Sequence, residues 1–170
     1  MTEPPPITVG VPGAAQMRAL GARLVESLRP GDVVVLTGAL GAGKTTLVQG
    51  IGAGLGVRGP ITSPTFVIAR LHPSLRGGPG LVHADAYRIG SRLEIDDLDL
   101  DADVDQCVTV VEWGEGLVEG LAQSHLLITI DWDAARAGEG DDEPRLLTFA
   151  PSGERWEHAI GDLRKVLQEQ

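Results

Sequence analysis

The 170-residue chain contains one cysteine, two lysines and no asparagine. A single cysteine cannot form an internal disulfide, and Cys107, which precedes the apolar run VTVV, is expected to be a buried core thiol. Guanine-specific GTPases of the common type read their base with an Asn-Lys-x-Asp motif, so the lack of asparagine excludes that class of enzyme. The four histidines are too scattered along the chain to indicate a zinc site.

Long apolar runs and an excess of basic charge are also missing. No apolar stretch approaches the roughly 18 residues of a membrane span, and the start, MTEPPPITVG, has neither the basic nor the apolar region of an export signal. The net charge of −10 argues against a large nucleic-acid interface, which clustered Lys and Arg would have to supply. We therefore expect a cytoplasmic protein that contacts no membrane and no DNA, and we expect any RNA that it acts on to be held by another protein.

The size and the 42% hydrophobic content suit a single domain, residues 1–170, with one core. Two segments are expected to be poorly ordered because their composition favours neither helix nor strand. They are the proline-rich N-terminus at 1–6 and the acidic loop at 134–143.

One stretch, VVVLTGALGAGKTTLVQGI at Val33–Ile51, predicts a strand, a glycine-rich turn and a helix. Within it Gly38, Gly43, Lys44 and Thr45 match the phosphate-loop pattern G-x-x-x-x-G-K-[ST] in the required context. Glycines let backbone N–H groups turn towards phosphate oxygens, Lys44 adds a mobile positive charge, and Thr45 offers a hydroxyl to magnesium. The predicted ligand is a nucleoside triphosphate with its magnesium ion.

The rest of the chain alternates between strand and helix patterns. Strands are predicted at 7–9, 33–36, from near residue 66, at 81–84, 108–111, 126–131 and 145–151, the last pairing with 126–131. Helices are predicted at 13–29, 44–55 and 153–168, with a short helix and acidic loop within 91–106 and a helix-like stretch at 116–122.

Two of the predicted strands end in an acidic residue. Asp85 and Glu112 each follow an apolar run, so in a parallel sheet both would lie at the carboxyl edge, beside the phosphate loop. A phosphate-loop enzyme needs acidic groups there to hold the metal and to position the attacking water. We therefore take this pair as a second candidate constellation.

Four blocks in this order and spacing carry a family resemblance: TGALGAGKTT at 37–46, ITSPTF at 61–66, HADAYR at 83–88 and VEW at 111–113. In combination they resemble the bacterial ATPase family TsaE, also called YjeE, of the tRNA threonylcarbamoyladenosine pathway. The resemblance runs from the first helix to about residue 131. It implies an α/β fold of the three-layer P-loop NTPase type, a mixed sheet with parallel central strands and helices on both faces. It also implies slow hydrolysis of Mg-ATP, stimulated by TsaB and TsaD, with TsaD performing the transfer to tRNA.

Carried over to this sequence, the resemblance implies roles for individual residues. Those holding the phosphates of ATP would be Gly38, Ala39, Leu40, Gly41, Ala42, Gly43, Lys44, Thr45 and Thr46. Magnesium would be ligated by Thr45 and Glu112, and the catalytic set would be Lys44, Thr65, Asp85 and Glu112. Ser63, Pro64, Thr65 and Phe66 would form a switch loop with Thr65 near the terminal phosphate, supported by Tyr87, Arg88 and Trp113.

Several alternatives stay open at the level of sequence. Asp85 would either orient the water or support the metal from outside its ligands, and Trp113 would either border the site or belong to the core. Arg136 and Arg145 are both candidates for a basic residue near the nucleotide. A small-molecule or nucleotide kinase would suit the phosphate loop, although its usual arginine-bearing lid would here be the mainly acidic segment 134–143. An ATP-sensing adaptor without significant turnover is the third reading.

Overall fold

The computed structural model describes residues 3–39, 41–62, 69–85, 104–113, 123–133 and 144–168. All seven described strands belong to one sheet. They are β1 (Ile7–Val11), β2 (Val33–Gly38), β3 (Ala69–His72), β4 (Gly80–Asp85), β5 (Cys107–Trp113), β6 (His125–Trp132) and β7 (Arg145–Ser152). The three α-helices of this part of the chain are α1 (Ala14–Leu24), α2 (Lys44–Leu55) and α3 (Glu154–Gln168), with short 3₁₀ turns at Val25–Ser27 and Val104–Gln106.

The sheet is mixed and has the order β1-β7-β6-β2-β5-β4-β3. Its centre is parallel, because β2 pairs in parallel with both β5 and β6, and β5 pairs in parallel with β4. Antiparallel strands extend it on both sides: β3 beside β4, and β7 followed by β1 beside β6. The predicted return of β7 on β6 and the parallel centre are thereby confirmed. The carboxyl ends of the four parallel strands meet at one edge, where open α/β sheets bind their ligands.

The main core lies between one face of the sheet and the three described helices. Along the strands, members of this core occur at every second residue, because side chains two residues apart point to the same face of the sheet. Fully or almost fully buried examples are Leu20 and Leu24 of α1, Leu47 and Ile51 of α2, Trp156 and Leu163 of α3, and Leu36, Val110, Ile128 and Phe149 of the sheet.

The opposite face of the central strands is buried as well. Val35, Val82, Ala84 and Val111 are fully buried, which explains why β2, β4 and β5 read as continuous apolar runs in the sequence. The helical stretches predicted within 91–103 and at 116–122 lie outside the described residues. A helical layer over this second face therefore stays a prediction.

Helices α1 and α2 approach each other backbone to backbone where glycines make the contact. A Cβ at Gly21 would lie 2.5 Å from the carbonyl oxygen of Leu47, and a Cβ at Gly50 would overlap the carbonyl group of Arg18. Any larger residue at either position would push the helices apart. This contact fixes α2, whose first turn follows the phosphate loop.

The predicted elements that fall within the described residues agree with the structure apart from their ends. The helix predicted at 13–29 stops at Leu24, tightens into the 3₁₀ turn and becomes extended at Leu28, two residues before Pro30. Proline disfavours helical geometry in the residue before it, so the apolar spacing that continues to Leu28 does not extend the helix. Strand β3 begins, in the described part, at Ala69, and its predicted start near residue 66 lies outside that part. Cys107 is 6% exposed and confirms the prediction of a buried thiol.

An ion pair attaches the start of α3 to the turn before β2. The Arg155 guanidinium donates to both carboxylate oxygens of Asp32, each at 2.9 Å, and to the carbonyl oxygen of Ser27 at 2.8 Å. Asp32 also accepts from the backbone N–H of Arg29. The buried carboxylate is therefore fully hydrogen-bonded. Within the described ranges, no helix has the length and apolar character that a membrane crossing would require.

Candidate nucleotide-binding site

The phosphate loop connects the buried strand β2 to α2. Gly41 and Gly43 have φ angles of 81° and 109°, in the left-handed region that glycine enters without strain. Between them the N–H of Ala42 donates to the carbonyl oxygen of Ala39 at 3.0 Å, which closes the turn. Helix α2 then begins at Lys44, as the sequence predicts, with no side chain capping its N-terminus and no acidic residue in its first turn.

The uncapped N-terminus leaves the first N–H groups of α2 without intrahelical acceptors, in the part of the helix that carries partial positive charge. Lys44 adds a full charge. Its Nζ donates to the carbonyl oxygen of Gly38 at 2.7 Å, so the side chain bends back across the loop. The arrangement suits an anion such as a phosphate group. Leu40, predicted to be part of the loop, lies outside the described residues.

Thr45 and Glu112, predicted to share a metal, are neighbours. Thr45 Oγ1 and Glu112 Oε1 are 3.4 Å apart, although the residues are 67 positions apart in the chain. The sheet brings them together because Leu36, near the end of β2, is the register partner of Glu112 on β5. Glu112 is 6% exposed, so its carboxylate is largely screened from water.

The other oxygen of Glu112 is held by a residue that sequence reasoning missed. His83 Nε2 lies 3.0 Å from Glu112 Oε2, and the His83 side chain is 1% exposed. Since an ionised carboxylate only accepts hydrogen bonds, the imidazole is the donor. The available signal was period 2: His83 lies two residues before Asp85 on β4, hence on the same face of the strand.

Asp85 ends β4 as the register partner of Glu112, so the two acidic positions meet at the carboxyl edge as predicted. Trp113 ends β5 and is the register partner of Thr37, beside the start of the loop. The side chains of Asp85 and Trp113 are outside the described part of the structure. The predicted switch loop, Ser63, Pro64, Thr65 and Phe66, and the supporting residues Tyr87 and Arg88 also lie outside it.

A second cation reaches the loop from β7. Arg145 donates from Nε to the carbonyl oxygen of Ala42 at 3.0 Å and from Nη2 to that of Gly41 at 3.3 Å. Its guanidinium also lies over the Trp132 ring, 4.9 Å from the ring centre. Of the two arginines that the sequence left open, Arg145 therefore contacts the phosphate loop, whereas Arg136 lies outside the described residues.

Within the described ranges, no group of three or more His, Cys, Asp or Glu side chains is placed to hold a metal ion. A metal at this edge would rely on the Thr45 hydroxyl and one carboxylate, together with oxygens from its ligand. That sparse set is typical of magnesium, which keeps several waters and shares substrate phosphates with few protein groups.

Comparison with known proteins assigns the family. The family described as "Threonylcarbamoyl adenosine biosynthesis protein TsaE" matches residues 11–139. The protein named tRNA threonylcarbamoyladenosine biosynthesis protein TsaE of Streptomyces coelicolor is 57% identical over 141 residues, 82% of this chain and 93% of its own. The proteins of that name in Mycobacterium tuberculosis and Bacillus subtilis are 50% and 37% identical, over 73% and 88% of this chain and 78% and 89% of theirs.

A solved structure gives the same result over the whole fold. The crystal structure of Bacillus subtilis YdiB is 31% identical to this chain, with a TM-score of 0.71 and 95% of each chain covered. The likeness therefore continues beyond residue 131, where the sequence blocks end, and the predicted P-loop NTPase fold class is confirmed. With the phosphate loop, the paired acidic positions and these relatives in agreement, the chain belongs to the TsaE family of threonylcarbamoyladenosine biosynthesis proteins.

Proposed function

We propose that the chain binds Mg-ATP at the phosphate loop and hydrolyses it slowly to ADP and phosphate. The observation that carries this proposal is the 3.4 Å approach of Thr45 Oγ1 to Glu112 Oε1 beside an uncapped helix N-terminus. Oxygens suited to a cation thus stand next to N–H groups suited to an anion. A metal–phosphate ligand requires that combination.

The oxygen pair is compatible with magnesium. Adjacent oxygens around Mg²⁺, at about 2.0–2.1 Å from the ion, lie about 3 Å apart in octahedral geometry. The observed separation of 3.4 Å needs only a small closing movement. When bound, the ion would neutralise charge on the outer phosphates and polarise them towards attack. Thr45 and Glu112 would hold it, and Lys44 would supply further positive charge to the same phosphates.

Asp85 is proposed to serve the hydrolytic step. Its register with Glu112 puts its backbone one strand spacing away, about 4.8 Å. With Glu112 holding the metal, Asp85 would be the residue that orients the attacking water. Thr65, in the predicted switch loop, is proposed to sense the terminal phosphate. Its loss of that contact after hydrolysis would report the nucleotide state.

We further infer that turnover supports the TsaB–TsaD machinery that makes threonylcarbamoyladenosine on tRNA, with TsaD performing the transfer. Membership of the TsaE family supports the pathway. The net charge of −10 supports an indirect relation to tRNA, because phosphate backbones are bound through clustered cations. Energy released at this site would then act through protein partners.

The test is thermal unfolding with and without Mg-ATP, followed by phosphate release with and without the TsaB–TsaD pair. Nucleotide at 100 times its dissociation constant should add about 2.7 kcal/mol to the free energy of unfolding. Lys44→Ala should lose this shift. The chain offers a matched control, because its only other lysine, Lys165, is exposed on α3, far along the sequence from the loop.

Three outcomes separate the candidate functions. Free phosphate that appears faster with the partner pair supports the proposed ATPase, whereas transfer of the terminal phosphate to an added acceptor would indicate a kinase. Binding without turnover, even with both partners, would leave an ATP-sensing adaptor. A thermal shift that persists unchanged in Lys44→Ala would overturn the assignment of the loop itself.

A further inference from the structure

Trp132, the last residue of β6, is 50% exposed. The other large apolar side chains exposed in the described ranges are leucines, Leu71 and Leu75. Tryptophan is usually covered to a large extent, because its ring carries the largest apolar surface of any side chain. A half-exposed indole at the ligand-binding edge of a sheet is therefore a candidate contact for a ligand.

The ring is tied to the phosphate loop. Trp132 is the register partner of Arg145, whose guanidinium lies 4.9 Å from the ring centre and donates to the carbonyl oxygens of Gly41 and Ala42. Trp132 thus stands on a paired strand, and Arg145 links its ring to the loop that would hold the phosphates.

The orientation of a bound nucleotide follows from the strand order. Strand β2 lies between β5, which carries Glu112, and β6, which carries Trp132. The outer phosphates belong on the β5 side, with Thr45 and Glu112. On the other side the loop starts directly against β6, since a Cβ at Gly38 would lie 2.7 Å from the carbonyl oxygen of Ile130. With the outer phosphates on the β5 side, β6 is the strand on which the inner end of the ligand would lie.

The span between these two sides is about two strand spacings, roughly 10 Å. The ribose and phosphates of a nucleotide bridge such a distance, which brings the base to the end of β6. We propose that Trp132 is the stacking platform for the adenine base, with Arg145 as a positioning residue that covers one face of the indole and leaves the other to the base. This inference rests on the proposed binding of ATP.

Stacking on an aromatic ring uses the π-face that every base has, so the contribution of Trp132 should appear only for ligands that carry a base. The test measures Mg-ADP and magnesium pyrophosphate binding by calorimetry. Trp132→Ala should weaken ADP binding about 5- to 150-fold, the range expected for loss of one base–aromatic stack, without changing the pyrophosphate affinity. Trp132→Phe should retain most of the ADP affinity. Leu75→Ala, at an exposed apolar position in the β3–β4 turn, is the control and should bind both ligands normally.

The outcomes are distinct. Equal weakening of ADP and pyrophosphate in Trp132→Ala would overturn the platform, because the residue would then act through the shape of the loop. Unchanged ADP binding would also overturn it, and if partner stimulation were lost in the same variant, the ring would instead be a docking residue. Wild-type protein that binds neither ligand would refute the proposed function itself, which is a different failure from that of the platform.

Discussion

Replacing His83 tests whether the buried imidazole positions the metal-binding carboxylate. His83 Nε2 donates to Glu112 Oε2 at 3.0 Å, while the other oxygen, Oε1, faces Thr45 Oγ1. A carboxylate held by one oxygen has its second oxygen aimed in a fixed direction. His83→Leu introduces an apolar side chain of comparable size and removes the donor. His83→Gln keeps an N–H group at a similar distance from the backbone and serves as the matched control.

The magnitudes follow from burial, since His83 and Glu112 have side chains only 1% and 8% exposed. A hydrogen bond to a charged group contributes about 1.5–3 kcal/mol. At about 2–4 °C per kcal/mol for a chain of this length, His83→Leu should lower Tm by roughly 3–12 °C. Loss of a group that orients a metal ligand typically weakens metal affinity 10- to 100-fold. We therefore expect Mg²⁺ to increase the ADP affinity of His83→Leu much less than it increases that of the wild type.

The assay compares ADP binding with and without Mg²⁺ in wild type, His83→Leu and His83→Gln. A purely structural role would lower Tm but leave the ratio of the two ADP affinities as in the wild type. If His83 positions the carboxylate, the ratio of the ADP affinity with Mg²⁺ to that without Mg²⁺ should fall in His83→Leu and should be close to the wild-type value in His83→Gln. A His83→Leu protein that responds to magnesium as the wild type does, at a temperature where it remains folded, would refute the positioning role.

Two further predictions concern stability. Gly50→Ala should destabilise the fold by about 1–3 kcal/mol, because its Cβ would overlap the Arg18 carbonyl. Gly161→Ala has nothing within 4 Å of the added Cβ and should stabilise α3 by up to about 1 kcal/mol. If urea unfolding gives both substitutions the same sign, the close contact at Gly50 does not determine the effect. Burial lowers the pKa of His72 below its ordinary value of 6.5, so the unfolded chain binds more protons in acid and the free energy of unfolding falls as pH drops below 6.5. His72→Gln should flatten this dependence in denaturation curves measured above and below that pH, and an unchanged slope would refute the assignment.

Local pattern was sufficient for the phosphate loop and its helix. The range predicted for α2, 44–55, is the observed one. Gly43 before the helix and Gly56 after it both adopt left-handed geometry, so the glycines visible in the sequence mark the two ends of the helix. The first helix was less accurate at its end. There the apolar period continued through Leu28, while the backbone responded to Pro30. The spacing of apolar residues alone does not show where the backbone can no longer remain helical.

The site shows a different division between what sequence can and cannot predict. The general rule that the carboxyl ends of parallel strands share one edge placed Glu112 beside the phosphate loop. The family resemblance paired it with Thr45, 67 residues away, and the two side chains lie 3.4 Å apart. The rule does not identify Arg145, which is 103 residues from Ala42 and was a candidate, beside Arg136, only through the family resemblance. Strand β7 is antiparallel and enters that edge with its first residue, so a search for residues at strand ends passes over it. His83 was missed because it precedes the strand end by two positions.

The site depends on helix packing as much as on the loop. Thr45 is the second residue of α2, whereas Glu112 belongs to β5, so their 3.4 Å separation records how α2 sits on the sheet. The position of α2 is fixed by its contact with α1 at Gly50. Gly50 lies six residues after Lys44, which is about 9 Å along the helix at 1.5 Å per residue. Close-packed interiors transmit such displacements instead of absorbing them. A shift at the glycine contact would therefore reach the two oxygens proposed to hold magnesium, without altering any residue that touches the ligand.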